Sequence, residues 1–127
     1  MEFAASTITL RFAAFGPDVI MVGRGGCLIT RKLDYVLHVR LVGSLAKRVE
    51  HMQALNGWGL KQAREFVERE DLGRRRYLKK YFSMNIDDPL LYHLVINTDI
   101  VPYEDAARLL GEAVLAEKHD ASLQLAA

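Results

Sequence analysis

Short apolar runs alternate along the chain with longer stretches of helical periodicity. Three of the runs are apolar on both faces, at residues 19–22, 35–42 and 94–96, and each stops at a glycine or at polar residues. Runs of this kind are typical of strands that are buried on both sides of a parallel sheet. The pattern therefore predicts α/β architecture, with a parallel sheet flanked by helices.

Helical periodicity predicts three helices between and after these runs. Ser44 is placed to cap the first helix, and the Asn56–Gly59 segment ends it. A long charged helix is predicted over 60–82, with Gly73 as a potential break, and an amphipathic helix over 103–116. Two apolar stripes are expected to face inward: Leu45, Val49 and Met52 in the first helix, and Ala106, Leu109, Leu110 and Val114 in the last.

The two ends of the chain are less regular. Residues 1–17 form an atypical segment in which Ser6–Phe12 alternates like a half-buried strand, although the apolar positions also fit a helix. Residues 117–127 are expected to be a frayed tail. With 127 residues in all, the chain is predicted to be a single domain or part of one.

Composition narrows the functional classes. The net charge of +1 gives the whole chain no bulk attraction for nucleic acid, which makes that partner unlikely on charge grounds. No apolar run approaches the roughly 20 residues that a membrane span needs, and the N-terminus does not resemble a signal peptide. The single cysteine, Cys27, excludes a disulfide within the chain and favours a cytoplasmic protein. Cys27 is interpreted as a small buried hydrophobe in preference to a reactive thiol.

The first candidate site is the Gly23–Gly26 segment, which follows the first apolar run. Ligands of open α/β sheets bind beyond the carboxyl ends of the strands. Glycines let backbone approach an anion there, and Arg24 is able to hold a phosphate with its guanidinium. A tight turn explains the same glycines, so the motif alone is weak.

The second candidate is the basic stretch Lys61–Lys80. Arg69 and Arg76 are seven positions apart and share a helical face, and with Arg74 they offer a set of cations for a polyphosphate. The alternative is a solvated helix in which acidic residues three or four positions away pair with these arginines. Aromatic residues among the cations also allow nucleic-acid binding, but the acidic residues of the same helix oppose it.

The third candidate is the Asn97–Asp99 segment, at the end of the third apolar run. Polar groups at this place open onto the ligand cleft of an α/β sheet, although a helix-initiating loop explains them equally. No metal site is predicted, because the four histidines and Cys27 lack ligand spacing. Asp87 and Asp88 are interpreted as a turn or an N-cap in preference to a magnesium site.

Taken in order, these motifs resemble the cytidylate kinase-like family of P-loop kinases over residues 18–114. The matching segments are Val19–Gly25, Leu37–Val42, Asp71 with Arg74, Tyr77–Leu78, Asp87–Pro89 and Leu94–Thr98. The resemblance implies a sheet that holds ATP on a P-loop and a nucleoside monophosphate opposite, with Mg²⁺ as the cofactor. The implied reaction is phosphoryl transfer from ATP to a pyrimidine nucleoside monophosphate.

The resemblance also implies roles for particular residues. Arg24, between Gly23 and Gly25, matches the arginine that binds the acceptor monophosphate, although the acid that follows it in cytidylate kinases is replaced here by Gly25. Asp71 and Arg74 match the mobile lid, whose arginines contact phosphates. Arg69 and Arg76 are further members of this implied catalytic set, and Asn97 and Thr98 match the end of the last core strand.

One motif of the family is missing. No glycine of the sequence is followed by Lys-Ser or Lys-Thr, so the chain contains no Gly-x-x-x-x-Gly-Lys-Ser/Thr phosphate loop. In the family that loop follows a central strand, whose loss leaves neighbouring strands without a pairing partner. We therefore expect an incomplete core, a chain without kinase activity of its own, and either a homo-oligomer or a fragment of a longer enzyme. The alternative is a non-catalytic module that binds a phosphorylated small molecule or regulates by oligomerising.

Overall fold

The computed structural model describes residues 20–23, 28, 30–33 and 36–126, with the backbone alone for 117–126. The chain order of the elements in this part is β1 (Val39–Val42), α1 (Leu45–Asn56), α2 (Leu60–Phe82), a 3-10 helix (Pro89–Leu91), β2 (Leu94–Asn97) and α3 (Tyr103–Ala126). Arg24, Gly25 and Cys27 lie outside the described residues, as does the 1–17 segment.

The strands β1 and β2 pair in parallel, which confirms the predicted α/β arrangement. Their register runs from Val39 opposite Leu94 to Val42 opposite Asn97. Because both strands end at the same edge, the segments that follow them lie side by side. A hydrogen bond of 2.8 Å from the Thr98 amide to the Val42 carbonyl extends the pairing one residue beyond β2.

The first predicted strand differs from the structure. Residues 20–22 form no strand, and the side chains of Ile20 and Val22 are 92% and 90% exposed. An apolar run becomes a strand only where a neighbour satisfies its backbone N–H and C=O groups. Neither β1 nor β2 pairs with residues 20–22, so the prediction for this run is wrong over these residues.

Packing between α1 and α2 forms the main apolar cluster of the described part. Val49 of α1 meets Ala63 and Val67 of α2, and all three are buried. Leu45, Met52, Trp58 and Phe66 pack around them. This cluster confirms the predicted inward stripe of α1, whose ends are also as predicted. Ser44 accepts a hydrogen bond from the Lys47 amide, and Gly57 ends the helix at φ +68°.

The helices α2 and α3 are more continuous than predicted. The helix α2 runs through Gly73 without a break, since one exposed glycine costs a helix only about 1 kcal/mol. The helix α3 continues to Ala126, past the predicted end near residue 116. Its expected inward stripe holds for Ala106, which is buried, and fails for Leu109, which is exposed. None of the helices described is both long and apolar enough to cross a membrane.

Candidate functional site

The carboxyl edge of the two strands brings together the segments that follow β1 and β2. The Thr98 hydroxyl donates to the Val42 carbonyl at 3.0 Å, and both carboxylate oxygens of Asp99 accept from the Ser44 amide at 3.1 Å. The Asn97 side chain accepts from the Asp99 amide at 3.0 Å. The polar groups predicted at this edge are therefore in place, and these contacts fasten β2 to the start of α1.

Gly43 lies at the centre of this edge. A Cβ atom at position 43 would lie 3.0 Å from Thr98 Oγ1, 3.1 Å from Asp99 Oδ1 and 3.5 Å from Arg48 Cγ. The φ angle of Gly43 is not in the left-handed region, so the backbone conformation does not require glycine. Glycine is needed because a Cβ atom would crowd the Thr98 and Asp99 side chains. The approach places the Arg48 side chain beside the strand ends.

Arg48 connects this edge to the middle of α2. Its Nε donates to the Gly43 carbonyl at 2.9 Å, and its Nη1 donates to Asp71 Oδ1 at 2.8 Å. Arg74, one turn further along α2, donates to the same Asp71 oxygen at 2.9 Å. Two guanidinium groups thus converge on one carboxylate next to the carboxyl edge of the sheet.

The environment of Asp71 favours its charged form. Partial burial acts to raise the pKa of this carboxyl, but the hydrogen bonds and positive charges of Arg48 and Arg74 outweigh it. The net effect lowers the pKa of Asp71 below its ordinary value of 3.8. The carboxylate is therefore ionised throughout the physiological range, and the cluster of two arginines and one aspartate carries one net positive charge.

The structure separates the three arginines that the sequence groups together. At 3.6 residues per turn, Arg69 and Arg76 lie about 140° and about 160° around the α2 axis from Arg74. Arg74 is on the side of α2 that also carries the buried Ala63 and Val67. Arg69 and Arg76 are exposed on the opposite side, and the Arg69 guanidinium lies 5.6 Å from the Phe66 ring centroid.

A second cluster of two arginines and one aspartate lies beside the first. Asp87 accepts from Arg75 of α2 and, at 2.9 Å, from Arg40 of β1. Arg40 also donates to the Ile86 carbonyl, which accepts from the Tyr92 hydroxyl at 2.9 Å. The hydrogen bond from Arg75 is the main cause of a lowered pKa for Asp87. These contacts tie the loop after α2 to both β1 and α2.

Two histidines that precede β1 and β2 meet at the opposite, amino edge of the strands. The rings of His38 and His93 stack at 5.0 Å between centroids, and the His38 amide donates to His93 Nδ1 at 2.8 Å. His38 Nε2 and Thr30 Oγ1 share a hydrogen bond of 2.7 Å in a buried position. Burial, followed by the charge of His93, lowers the pKa of His38. A cavity of about 220 Å³ adjoins the pair.

Sequence reasoning did not identify Arg48, Arg40 or Arg75 as members of these clusters. The partners of Arg48 and Arg40 lie 23 and 47 positions away along the chain. No local spacing marks such a pair. One weak signal exists for Arg48, because it lies in the first helical turns after the strand-ending Gly43, where side chains face the ligand edge of an α/β sheet.

Comparison with known proteins identifies the family. The sequence model of the cytidylate kinase-like family matches residues 1–100. The chain belongs to this family. The match includes β1, α1, α2 and β2, and therefore both arginine clusters.

The curated relatives include cytidylate kinases, and this chain matches only part of the length of each. A cytidylate kinase of Pyrobaculum aerophilum is 36% identical over 93 residues, which are 72% of this chain and 50% of that protein. A cytidylate kinase of Aeropyrum pernix is 31% identical over 105 residues, 82% of this chain and 59% of that protein. The chain thus spans about half the length of these kinases. A uronate isomerase of Corynebacterium glutamicum is 31% identical over 93 residues, which are only 18% of its own length.

The family implies the use of ATP and Mg²⁺, and the aspartates of the two arginine clusters do not fit a metal site, because other groups already hold their oxygens. Asp71 and Asp87 are each held by two arginines, and Asp99 is held by the Ser44 amide. Within the described residues, no group of three or more His, Cys, Asp or Glu side chains is placed to hold a metal ion. The sequence also lacks the phosphate-loop motif.

Proposed function

We propose that this member of the cytidylate kinase-like family supplies the acceptor side of a nucleoside monophosphate kinase. The parent reaction is phosphoryl transfer from ATP to a pyrimidine nucleoside monophosphate. The 127-residue chain binds the monophosphate and does not catalyse the transfer alone, because its sequence contains no phosphate loop.

The position of Arg74 carries this proposal. Arg74 corresponds to a lid arginine of the family, and three hydrogen bonds connect it, through Asp71 and Arg48, to the Gly43 carbonyl at the carboxyl end of β1. Its side chain is 51% exposed, so a ligand at this edge is able to reach it. An arginine in this position suits the bidentate recognition of a phosphate.

The acceptor phosphate has a second proposed contact in Arg24. Gly23, directly before it, has a φ angle of +76°, which is a turn conformation that favours glycine. Gly25 on its other side allows the backbone to approach the phosphate. Asn97 and Thr98 shape the carboxyl edge of the strands through the hydrogen bonds that fix the end of β2.

Arg69 and Arg76 are given a different place in the proposal. They face away from Asp71 and Arg74, so in this arrangement they do not reach the phosphate that Arg74 binds. We propose that they join the catalytic set only if α2 turns or bends on assembly with a phosphate-loop segment. Substituting them is therefore expected to leave monophosphate binding by the 127-residue chain unchanged.

Two measurements on the purified 127-residue chain test the proposal. Isothermal titration calorimetry is expected to detect binding of CMP that Arg24→Ala weakens by about tenfold or more, the loss expected for a hydrogen bond to a charged group. A coupled assay is expected to show no CMP-dependent turnover of ATP. Turnover by the pure chain would contradict the inactive state, and equal heats for CMP and sulfate would contradict selective binding.

A non-catalytic, oligomerising module is the second candidate function. Parallel sheets are normally covered on both faces, yet Leu41 of β1 and Val95 of β2 are 54% and 45% exposed and point to opposite faces. A second copy of the chain is the proposed cover. Light scattering after size-exclusion chromatography is expected to show a homo-oligomer. A well-folded monomer at all concentrations would contradict this candidate.

A further inference from the structure

Arg48 and Arg74 use the same oxygen of Asp71 in unequal ways. Arg48 is anchored at a second point, because its Nε donates to the Gly43 carbonyl at 2.9 Å. Within the described residues, Arg74 has an ion pair only with Asp71, and it is more exposed than Arg48, at 51% against 35%. Arg48 is therefore the fixed partner of Asp71, and Arg74 is the partner that is able to leave.

The charges make this departure favourable when an anion arrives. Asp71 is three positions before Arg74 on the same helix, so the carboxylate competes directly with any phosphate for the Arg74 guanidinium. Arg48 keeps Asp71 paired after Arg74 has left, which lowers the cost of the exchange. Without Arg48, the departure of Arg74 would strand a partly buried carboxylate without a counter-ion.

We propose that Arg48 is a positioning residue that holds Asp71 and so releases Arg74 to a phosphate-bearing ligand. In the free chain, the Asp71 carboxylate accepts the hydrogen bond of the Arg74 guanidinium. In the complex, a phosphate oxygen of the ligand takes the place of this carboxylate. Arg48 itself does not touch the ligand. This inference rests on the proposed function, because it names how the same edge accepts the monophosphate.

The exchange makes a prediction that a purely structural role for Arg48 does not make. Arg48→Gln leaves Arg74 as the only cation on Asp71 and is expected to weaken CMP binding about fivefold, the factor that corresponds to one surface ion pair. Adding Asp71→Asn removes the competing charge and is expected to restore the affinity of the double variant for inorganic phosphate to the wild-type value or above. Inorganic phosphate is the probe for this step because it has no ribose that could contact Asp71.

Calorimetry with CMP and inorganic phosphate on four chains performs the test: wild type, Arg48→Gln, Arg48→Gln with Asp71→Asn, and Arg64→Gln. Arg64→Gln is the matched control, because it also removes an arginine from an ion pair. Arg64 pairs with Glu68 at 3.1 Å, and both residues are exposed on α2. A companion ¹⁵N spectrum of the arginine side chains is expected to show that CMP shifts the Arg74 Nε signal and leaves that of Arg48 in place.

The outcomes separate the two levels of the proposal. Binding that Arg48→Gln weakens and Asp71→Asn restores supports the exchange. Binding that Arg48→Gln leaves unchanged, or a loss that Asp71→Asn does not restore, overturns the exchange and leaves the proposed function standing. A CMP-induced shift of the Arg48 signal without any shift of the Arg74 signal also overturns it, because Arg48 and not Arg74 would then respond to the ligand. No CMP binding by the folded wild-type chain overturns the proposed function and the exchange together.

Discussion

Arg48 of α1 and Asp71 of α2, 23 positions apart in the chain, meet through a hydrogen bond of 2.8 Å. This contact joins the helix that follows β1 to the middle of the long charged helix. It places Arg74, which shares the same carboxylate oxygen, close to the edge where both strands end. The arrangement of the candidate site depends on this one long-range ion pair.

A double-mutant cycle measures the strength of that pair. Arg48→Met and Asp71→Asn, alone and together, are expected to show a coupling free energy of about 1 kcal/mol in urea unfolding, at the upper end for partly exposed ion pairs. Arg64→Met with Glu68→Gln is the control and is expected to give about 0.3–0.5 kcal/mol, as for other helix pairs four positions apart. Equal couplings in both cycles would contradict a special role for the first pair.

Acid should weaken the folded chain through its two bridging aspartates. The pKa values of Asp71 and Asp87 are both below the ordinary 3.8, so the unfolded chain takes up protons first as pH falls. Their stabilising contribution is therefore fully present above about pH 5 and is lost as pH falls through the lowered folded pKa values. Urea unfolding between pH 6 and pH 2.5 checks this. Asp71→Asn and Asp87→Asn are each expected to reduce the pH dependence, and an unchanged slope in both variants would contradict the account.

The histidine pair predicts a second decline of stability as pH falls, in a range above that of the two aspartates. Burial and the neighbouring His93 lower the pKa of His38 below the model-compound value of 6.5, while the unfolded chain titrates near that value. Well above pH 7, this residue is neutral in both the folded and the unfolded state. As pH falls below 6.5, the unfolded chain binds a proton that folded His38 does not, so stability declines until the folded pKa is reached.

Proton NMR of the His38 ring tests this directly and should give a midpoint below 6.5. His38→Gln is expected to reduce the change in unfolding free energy between pH 7 and pH 5. Arg31, Tyr92 and His93 line the same cavity as His38 and remain unchanged in this variant. A midpoint at or above 6.5 would show that the ring is not held neutral.

Two glycines should respond to alanine in opposite directions. Gly43→Ala places a Cβ atom 3.0 Å from Thr98 Oγ1 and 3.1 Å from Asp99 Oδ1, and both of these atoms are held by hydrogen bonds. The expected loss is about 1–3 kcal/mol, the usual cost of overpacking. Gly73→Ala has open space around it in α2 and should gain about 0.5–1 kcal/mol from helix propensity. Thermal unfolding of the two variants measures the contrast, and a neutral Gly43→Ala would contradict the close approach.

The sequence predicts the elements that are set by local signals. The cap at Ser44, the stop at Gly57 and the helix over 60–82 are confirmed because each depends on neighbouring residues alone. The parallel sheet predicted from the runs at 35–42 and 94–96 is confirmed, with strands at Val39–Val42 and Leu94–Asn97, because the alternation of strands and helices favours parallel strands. The strand predicted at 19–22 is wrong over residues 20–22, since strand formation there requires a partner that the local pattern does not reveal.

The candidate site was predictable only in part. The polar residues at the end of β2 follow from strand-end logic, and the family motifs single out Asp71 with Arg74, whose role in binding stays a prediction. The opposite faces of Arg74 and of Arg69 with Arg76 follow from their spacing at 3.6 residues per turn, but the packing of the Arg74 side toward α1 does not. Arg48, Arg40 and Arg75 were missed because ion pairs formed over long sequence separations leave no spacing to detect.

In the proposed function, Arg74 on the Asp71 side of α2 binds the phosphate of a monophosphate ligand. Calorimetric titration of CMP into Arg74→Gln and Arg69→Gln tests it most directly, since both variants lose one exposed cation from the same helix. Arg74→Gln is expected to weaken CMP binding at least about tenfold, as for a lost hydrogen bond between charged groups, and Arg69→Gln is expected to leave it unchanged. Equal losses in the two variants, or a loss confined to Arg69→Gln, would contradict it.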